Sequence, residues 1–185
     1  MSHRLTALRA ALGAQHLDAL FVIRGTNLRY LTGFTGADSF ALITPSRAFF
    51  ITDSRYTEQA SQECPLCEVV PWRDPYASLP ETLRRLTQRE GVLRLGFEKR
   101  FVNYGLYEEL AAELSGVELV PTEHLVEGLR YVKDPEEQQA LRRAAEVADR
   151  AFAKLVPFLA PGRTEREVAA ELEYTLRREG AEGIA

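Results

Sequence analysis

The residues best equipped for chemistry in this chain are few and scattered. Two cysteines stand close together in Cys64-Pro65-Leu66-Cys67. A reactive thiolate of this spacing gains from a helix N-terminus, yet the pair follows a helical stretch, 56–63, and precedes a strand opening at Glu68. As a zinc site it is half a set: there is no second CxxC, and the three histidines, His3, His16 and His124, are scattered. The histidines sit in helical or loop contexts that suit surface or capping roles. Gly33-x-x-Gly36 lacks the third glycine and the strand-to-helix setting of a dinucleotide loop, and no GxxxxGK[ST] segment occurs. Most carboxylates lie at helical spacing from arginines, as on solvated helix faces. What remains are polar side chains near the expected ends of strands, where α/β proteins place their sites: Asn27, Arg29, Arg55 and Tyr56.

The elements that must carry these groups follow from composition and period. The chain has 185 residues, 45% hydrophobic and 27% charged, with a formal net charge of -4. These values describe a globular chain with no basic field for nucleic acid. No apolar run reaches the ~18 residues that a membrane span needs, and the N-terminus lacks the apolar core of a signal peptide, so a cytoplasmic location is expected. Leu5, Leu8, Leu12 and Leu17 mark a first helical face, which Gly13 breaks near its end. Strands are expected at 18–24, 39–44, 48–52, 68–71, 93–98 and 117–120. Gly25-Thr26-Asn27 reads as a turn, and Pro45-Ser46-Arg47 as a tight hairpin connection. Helices are expected from residue 54 or 55 to 63, at 78–90 and at 104–114. This alternation predicts a three-layer α/β domain with a mixed sheet, closing near residue 121.

The last third changes character. Residues 122–133 read as a linker. Asp134-Pro135-Glu136-Glu137 is a strong helix start, with a capping Asp, a proline suited to the first turn and acids at the positive end of the dipole. Leu141, Ala144, Ala148, Phe152 and Leu155 hold one apolar face through about six turns. Pro161-Gly162 ends that element, and Thr164-x-x-Glu167 is a capping box that opens a second helix stopping at Gly180.

Five segments, in this order, carry a resemblance. Asn27-Leu28-Arg29-Tyr30-Leu31-Thr32-Gly33-Phe34 is followed by Thr52-Asp53-Ser54-Arg55-Tyr56-Thr57-Glu58-Gln59-Ala60. Then come Lys133-Asp134-x-x-Glu137 with Arg142-x-Ala144, Pro161-Gly162-x-Thr164-Glu165-x-Glu167-Val168-Ala169, and Leu172-Glu173-Tyr174 through Gly180-Ala181-Glu182-Gly183. Together they resemble the creatinase/prolidase family of Xaa-Pro-cleaving metallopeptidases, the M24 type. The resemblance implies a ribonuclease-H-like N-terminal domain over 1–121 and a linker over 122–133. It makes 134–185 the first helices of an incomplete pita-bread domain.

In such a family two divalent metals (Mn, Co or Zn) are held by two Asp, one His and two Glu. They activate a water against the carbonyl of the bond before proline. All five ligands would lie downstream, so no catalytic or metal-binding residue is assigned within this stretch. The resemblance gives the N-terminal domain a part in shaping the mouth of the active site and in dimer contacts. A homodimer and a peptide substrate with proline at its second position are therefore expected. Rim or dimer candidates are Asn27, Arg55, Tyr56 and Trp72, the last in Val70-Pro71-Trp72-Arg73-Asp74-Pro75. Asn27 is neutral where some relatives place an acid near the substrate amine. Gly33, Gly36 and Asp53 are structural: the glycines for positive φ or close backbone approach, the aspartate as N-cap of the following helix. The alternative function is a stand-alone, non-catalytic peptide- or protein-binding module of the same fold.

Overall fold

The computed structural model describes residues 2–73 and 77–183; Asp74 and Pro75 beside Trp72, and Ile184-Ala185, lie outside the described residues. Six short apolar runs become strands: β1 (Ala19–Val22), β2 (Phe40–Ile43), β3 (Ala48–Thr52), β4 (Glu68–Pro71), β5 (Arg94–Glu98) and β6 (Glu118–Thr122). The runs are apolar at consecutive positions because the central strands are covered on both faces. Along β1, Leu20 and Val22 enter one core while Ala19 and Phe21 enter the other; β3 divides Ala48 and Phe50 from Phe49 and Ile51 in the same way.

The strands form one mixed sheet in the order β4-β3-β2-β1-β5-β6. β2 is antiparallel to both neighbours, and the remaining pairs are parallel. The carboxyl ends of β1, β3, β4, β5 and β6 therefore share one edge of the sheet. Outermost β4 is blunted by Pro71. Because the Trp72 N–H reaches inward to Thr52 O at 3.0 Å, the position that faces outward is the one with no N–H to offer.

Helices α1 (Ser2–Ala14), α2 (Gly25–Thr32), α3 (Thr57–Glu63) and α6 (Leu125–Tyr131) bring Leu5, Leu8, Leu28, Leu31, Ala60 and Val126 to one face. α4 (Leu79–Glu90) and α5 (Tyr104–Glu113) cover the other with Leu79, Leu83, Leu86 and Leu110. Helices of seven or eight residues, such as α2, α3 and α6, are marginal alone. Their apolar residues on the sheet supply the difference, at about 1.5–3 kcal/mol for each fully buried leucine. The expected three-layer arrangement is the one found.

Several local expectations are corrected. Gly25-Thr26-Asn27 is the first turn of α2 rather than a free turn, because burial of Asn27 and Leu28 draws the segment into helix. Helix α1 passes through Gly13 and ends at Ala14. Stretch 122–133 is not an empty connection: β6 runs through Thr122, and α6 lays Val126, with Leu125 and Leu129, into the core shared with α1. The chain divides into two compact units between Tyr131 and Val132.

The second unit contains α7 (Pro135–Leu155) and α8 (Glu165–Arg178). Both open on a complete capping box, Asp134 with Glu137 and Thr164 with Glu167. The two helices pack on one another, and Arg150 and Lys154 of α7 both reach Glu179. Leu141, Phe152 and Tyr174 remain exposed.

One tight point of the first unit is testable. A Cβ on Gly96 of β5 would lie 2.9 Å from Leu17 Cδ1, 3.1 Å from Thr122 Cγ2 and 3.2 Å from Leu20 Cδ1. Gly96→Val is expected to cost about 1–3 kcal/mol through overpacking, read as a lower midpoint in urea unfolding.

Candidate functional site

The shared carboxyl edge of the sheet holds the two charged residues that are buried among the described residues, Glu98 and Asp53. Where strands end, N–H and C=O groups lose their ladder partners, and side chains must replace them. At the end of β5, Glu98 does so, a residue only 6% exposed. Its Oε2 accepts from Ile23 N at 2.7 Å and Arg24 N at 2.8 Å, which fixes the turn from β1 into α2. Its Oε1 accepts from Asn27 Nδ2 at 2.6 Å. The same amide nitrogen donates to Glu127 Oε1 of α6 at 2.9 Å, while Asn27 Oδ1 accepts from Arg130 Nη1 at 2.8 Å. Arg24 completes the network with Nη1 2.9 Å from Glu127 Oε1 and its guanidinium over the Phe101 ring.

Burial pushes the Glu98 carboxyl above its usual range, against the pull of the three N–H donors. Burial also raises Glu127, but its contacts with Asn27 and Arg24 outweigh this and hold it below its usual range. Asn27 was expected at a substrate rim. It is instead 0% exposed, because a carboxamide is the neutral group able to donate to two carboxylates and accept from an arginine at once.

A second cluster stands across β2, at the ends of β3 and β4. Asp53 is buried and takes the Arg55 fork, with Nε 3.0 Å from Oδ1 and Nη2 2.7 Å from Oδ2. Arg55 also reaches Asp38 at 3.1 Å, and Arg73 lies 3.6 Å from Asp53. The hydrogen bond from the Arg55 side chain is the main reason the Asp53 carboxyl lies below its usual range. Asp53 does not cap α3 as expected. That helix begins at Thr57 with Tyr56 in the cap position, and the carboxylate is spent on the Arg55 backbone and guanidinium.

Tyr56 stands edge-on to Phe34 at 5.7 Å. Gly36 lies beneath this pair, where a Cβ would come 2.5 Å from Phe34 Cζ, so the close approach here requires glycine. Gly33 closes α2 at φ 86°. Trp72 is half-buried and edge-on to Phe40 at 5.5 Å, with Arg73 over its indole and Nε1 without a hydrogen-bond partner among the described residues. The structure thus groups Arg55 with Asp53, and Tyr56 with Gly36, on one side of the edge. Asn27 belongs to the other side.

Sequence reasoning missed Glu98, Glu127, Arg130, Asp38 and Arg73. Of these, only Glu98 left a signal, as an acid closing the apolar run Leu95-Gly96-Phe97. Among the described residues four non-glycine residues have positive φ, and three of them, Asp38, Arg73 and His124, stand at this edge. Such backbone strain concentrates at functional sites. Cys64 is buried, and burial raises both thiols, Cys67 to about 12, so the CxxC pair is held as unreactive thiol.

Among the described residues no group of three or more His, Cys, Asp or Glu is placed to hold a metal ion. The Glu98 oxygens are already committed to N–H donors, so this carboxyl does not suit a metal ligand. Among the same residues no helix is long and apolar enough to cross a membrane.

Two substitutions test this geometry. Asn27→Asp would set a third carboxylate against Glu98 and Glu127; it is expected to cost about 3 kcal/mol at neutral pH, and less as the medium is acidified toward the carboxylate range. Denaturant midpoints across that pH range check it. For Asp53 the sign is that of a depressed carboxyl. Its contribution is present above the usual 3.8 and is lost as pH falls through the lower folded value. The stability gap between native chain and Asp53→Asn should therefore be constant through pH 5–7 and close only in stronger acid, at pH values below about 4.

The family described as the creatinase/prolidase N-terminal domain matches residues 4–132, well over half of the chain, and metallopeptidase family M24 matches residues 139–185. The uncharacterised peptidase YqhT of Bacillus subtilis is 40% identical over 97% of this chain and 50% of its own length. The structure of a Xaa-Pro dipeptidase from Bacillus anthracis superposes with a TM-score of 0.92 at 34% identity, covering 98% of this chain and 50% of that one. The N-terminal domain of a cytoplasmic peptidase from Mycobacterium tuberculosis matches with a TM-score of 0.63 at 33% identity, covering 69% of this chain and 98% of that domain. The chain spans about half the length of the curated relatives it matches. With both segments matched in order, the chain belongs to the creatinase/prolidase N-terminal domain family, joined to a segment of metallopeptidase family M24.

Proposed function

We propose that this chain is the N-terminal portion of a metal-dependent peptidase that cleaves Xaa-Pro bonds, contributing substrate gating and dimer contacts rather than the hydrolytic step. The observation that carries this reading is the end-to-end match: 98% of the chain superposes on half of a Xaa-Pro dipeptidase. The two divalent metals, Mn, Co or Zn, belong on this reading to the half of the family fold that the chain does not cover. Arg55, Tyr56 and Trp72 act from the rim at the carboxyl ends of β3 and β4. Asn27 acts indirectly, through the buried network that sets α2. The substrate is a peptide with proline at its second position, the assembly a homodimer and the compartment the cytoplasm.

The test is hydrolysis of Xaa-Pro dipeptides and of longer Xaa-Pro peptides with added Mn, Co or Zn. It is run on the 185-residue chain and on a version extended to the length of the relatives. Turnover is expected from the extended form alone. Metal-dependent turnover by the 185-residue form would place the chemistry in these residues and overturn the reading. Light scattering coupled to gel filtration checks the dimer.

A further inference from the structure

One cavity at the sheet edge shares Arg24, Glu98 and Glu127 with the buried network but is given no ligand in the reading above. It opens over the carboxyl ends of β1, β5 and β6 and encloses about 200 Å³. In an open α/β sheet, ligands settle outside the carboxyl ends of strands where the strand order reverses. That point here is the β1–β5 junction: β1 leads through α2 to β2 on one side, while β5 leads through α5 to β6 on the other. The cavity lies at this junction.

Its walls carry both signs of charge, part of it uncommitted. Glu123 accepts Lys99 Nζ at 3.1 Å and Arg100 Nε at 3.2 Å on the same oxygen, Oε1. Its Oε2 makes no hydrogen bond among the described residues. Arg100 uses Nε alone, so its terminal nitrogens remain available, and Arg24 gives only Nη1 to Glu127. Leu20, Val126 and the Phe101 ring supply apolar wall. His124, at φ 59°, lines the same space, so strained backbone and cavity coincide.

Two arginines face three glutamates around this cavity. That near-balance disfavours a polyanion such as a nucleotide, and the arginines disfavour a bare cation. Room for about seven water-sized groups suits a molecule of eight or so non-hydrogen atoms. We propose that this cavity binds a small zwitterion, a free α-amino acid, with its ammonium on Glu123 Oε2 and its carboxylate on the terminal N–H groups of Arg100 and Arg24. The short side chain lies against Phe101. The site stands independently of the peptidase reading, since its occupancy is measured without turnover.

The test is calorimetric titration of the chain with glycine, L-alanine and L-proline. Saturable binding of at least one is expected, while N-acetyl-L-alanine and L-alaninamide, each lacking one charge, bind at least tenfold more weakly, as expected from losing about one charge-assisted bond. Arg100→Ala and Glu123→Gln change exposed or half-exposed side chains (64% and 36%), so the melting temperature should hold. Each is expected to weaken binding by about tenfold or more. Three results would overturn the proposal: no saturable heat from any of the three amino acids, capped forms binding as tightly as the free ones, or inorganic phosphate binding in their place. Unchanged affinity in both folded variants would also overturn it, by removing the assigned contacts.

Discussion

The Glu98 carboxylate is the contact on which the first unit's functional edge depends. An ionised carboxyl taken out of water is strongly unfavourable unless hydrogen bonds replace its hydration. Here two backbone N–H groups and one amide do so at 2.6–2.8 Å. Those donors belong to the end of β1 and the start of α2, so satisfying the charge also fixes where α2 begins. Because Asn27 passes the constraint to Glu127 and Arg130, the position of α6 follows from the same group. Removing one partner would leave charge without compensation, which gives the network its all-or-none character.

The other half of the edge repeats the logic with different chemistry. Asp53 directly follows β3 where Glu98 ends β5, but its partner is the Arg55 fork rather than main-chain donors alone. A guanidinium bound in this way is half in water and bridges the buried Asp53 to the exposed Asp38. The two clusters have opposite character: a buried node that sets helix positions, and a buried aspartate whose arginine partner stands half in water. Positive φ occurs along this edge at Asp38 and His124, types that enter the left-handed region readily, and at Arg73, which does so less readily.

The second unit follows more local rules. Its two helices begin where Asp134 and Thr164 supply caps, and their acidic first turns and basic last turns complement the helix dipoles. Leu141, Phe152 and Tyr174 stay in water despite their apolar bulk. Helix propensity and capping alone do not ask for residues of that kind on an exposed face.

The amino-acid sequence by itself determined the six strands, the helices α1, α3, α4 and α5, the Asp134 cap and the Thr164–Glu167 capping box of the second unit, and the three-layer class, because these depend on residues within a few positions of one another. The five-segment order likewise gave the family without coordinates. What only the tertiary structure decided was which groups meet. Asn27 reads as a turn residue beside Gly25, and becomes a buried node because Glu98 and Glu127, 71 and 100 positions away, converge on it. Asp53 reads as a helix cap, and is captured by Arg55 because the chain must turn where β3 stops. The stretch 122–133 reads as a linker because its apolar run, Leu125, Val126 and Leu129, spans little more than one turn; α1 supplies the surface that makes it a helix. Local pattern records periodicity, whereas a site is a set of long-range coincidences, and those arise when the sheet brings strand ends to one edge.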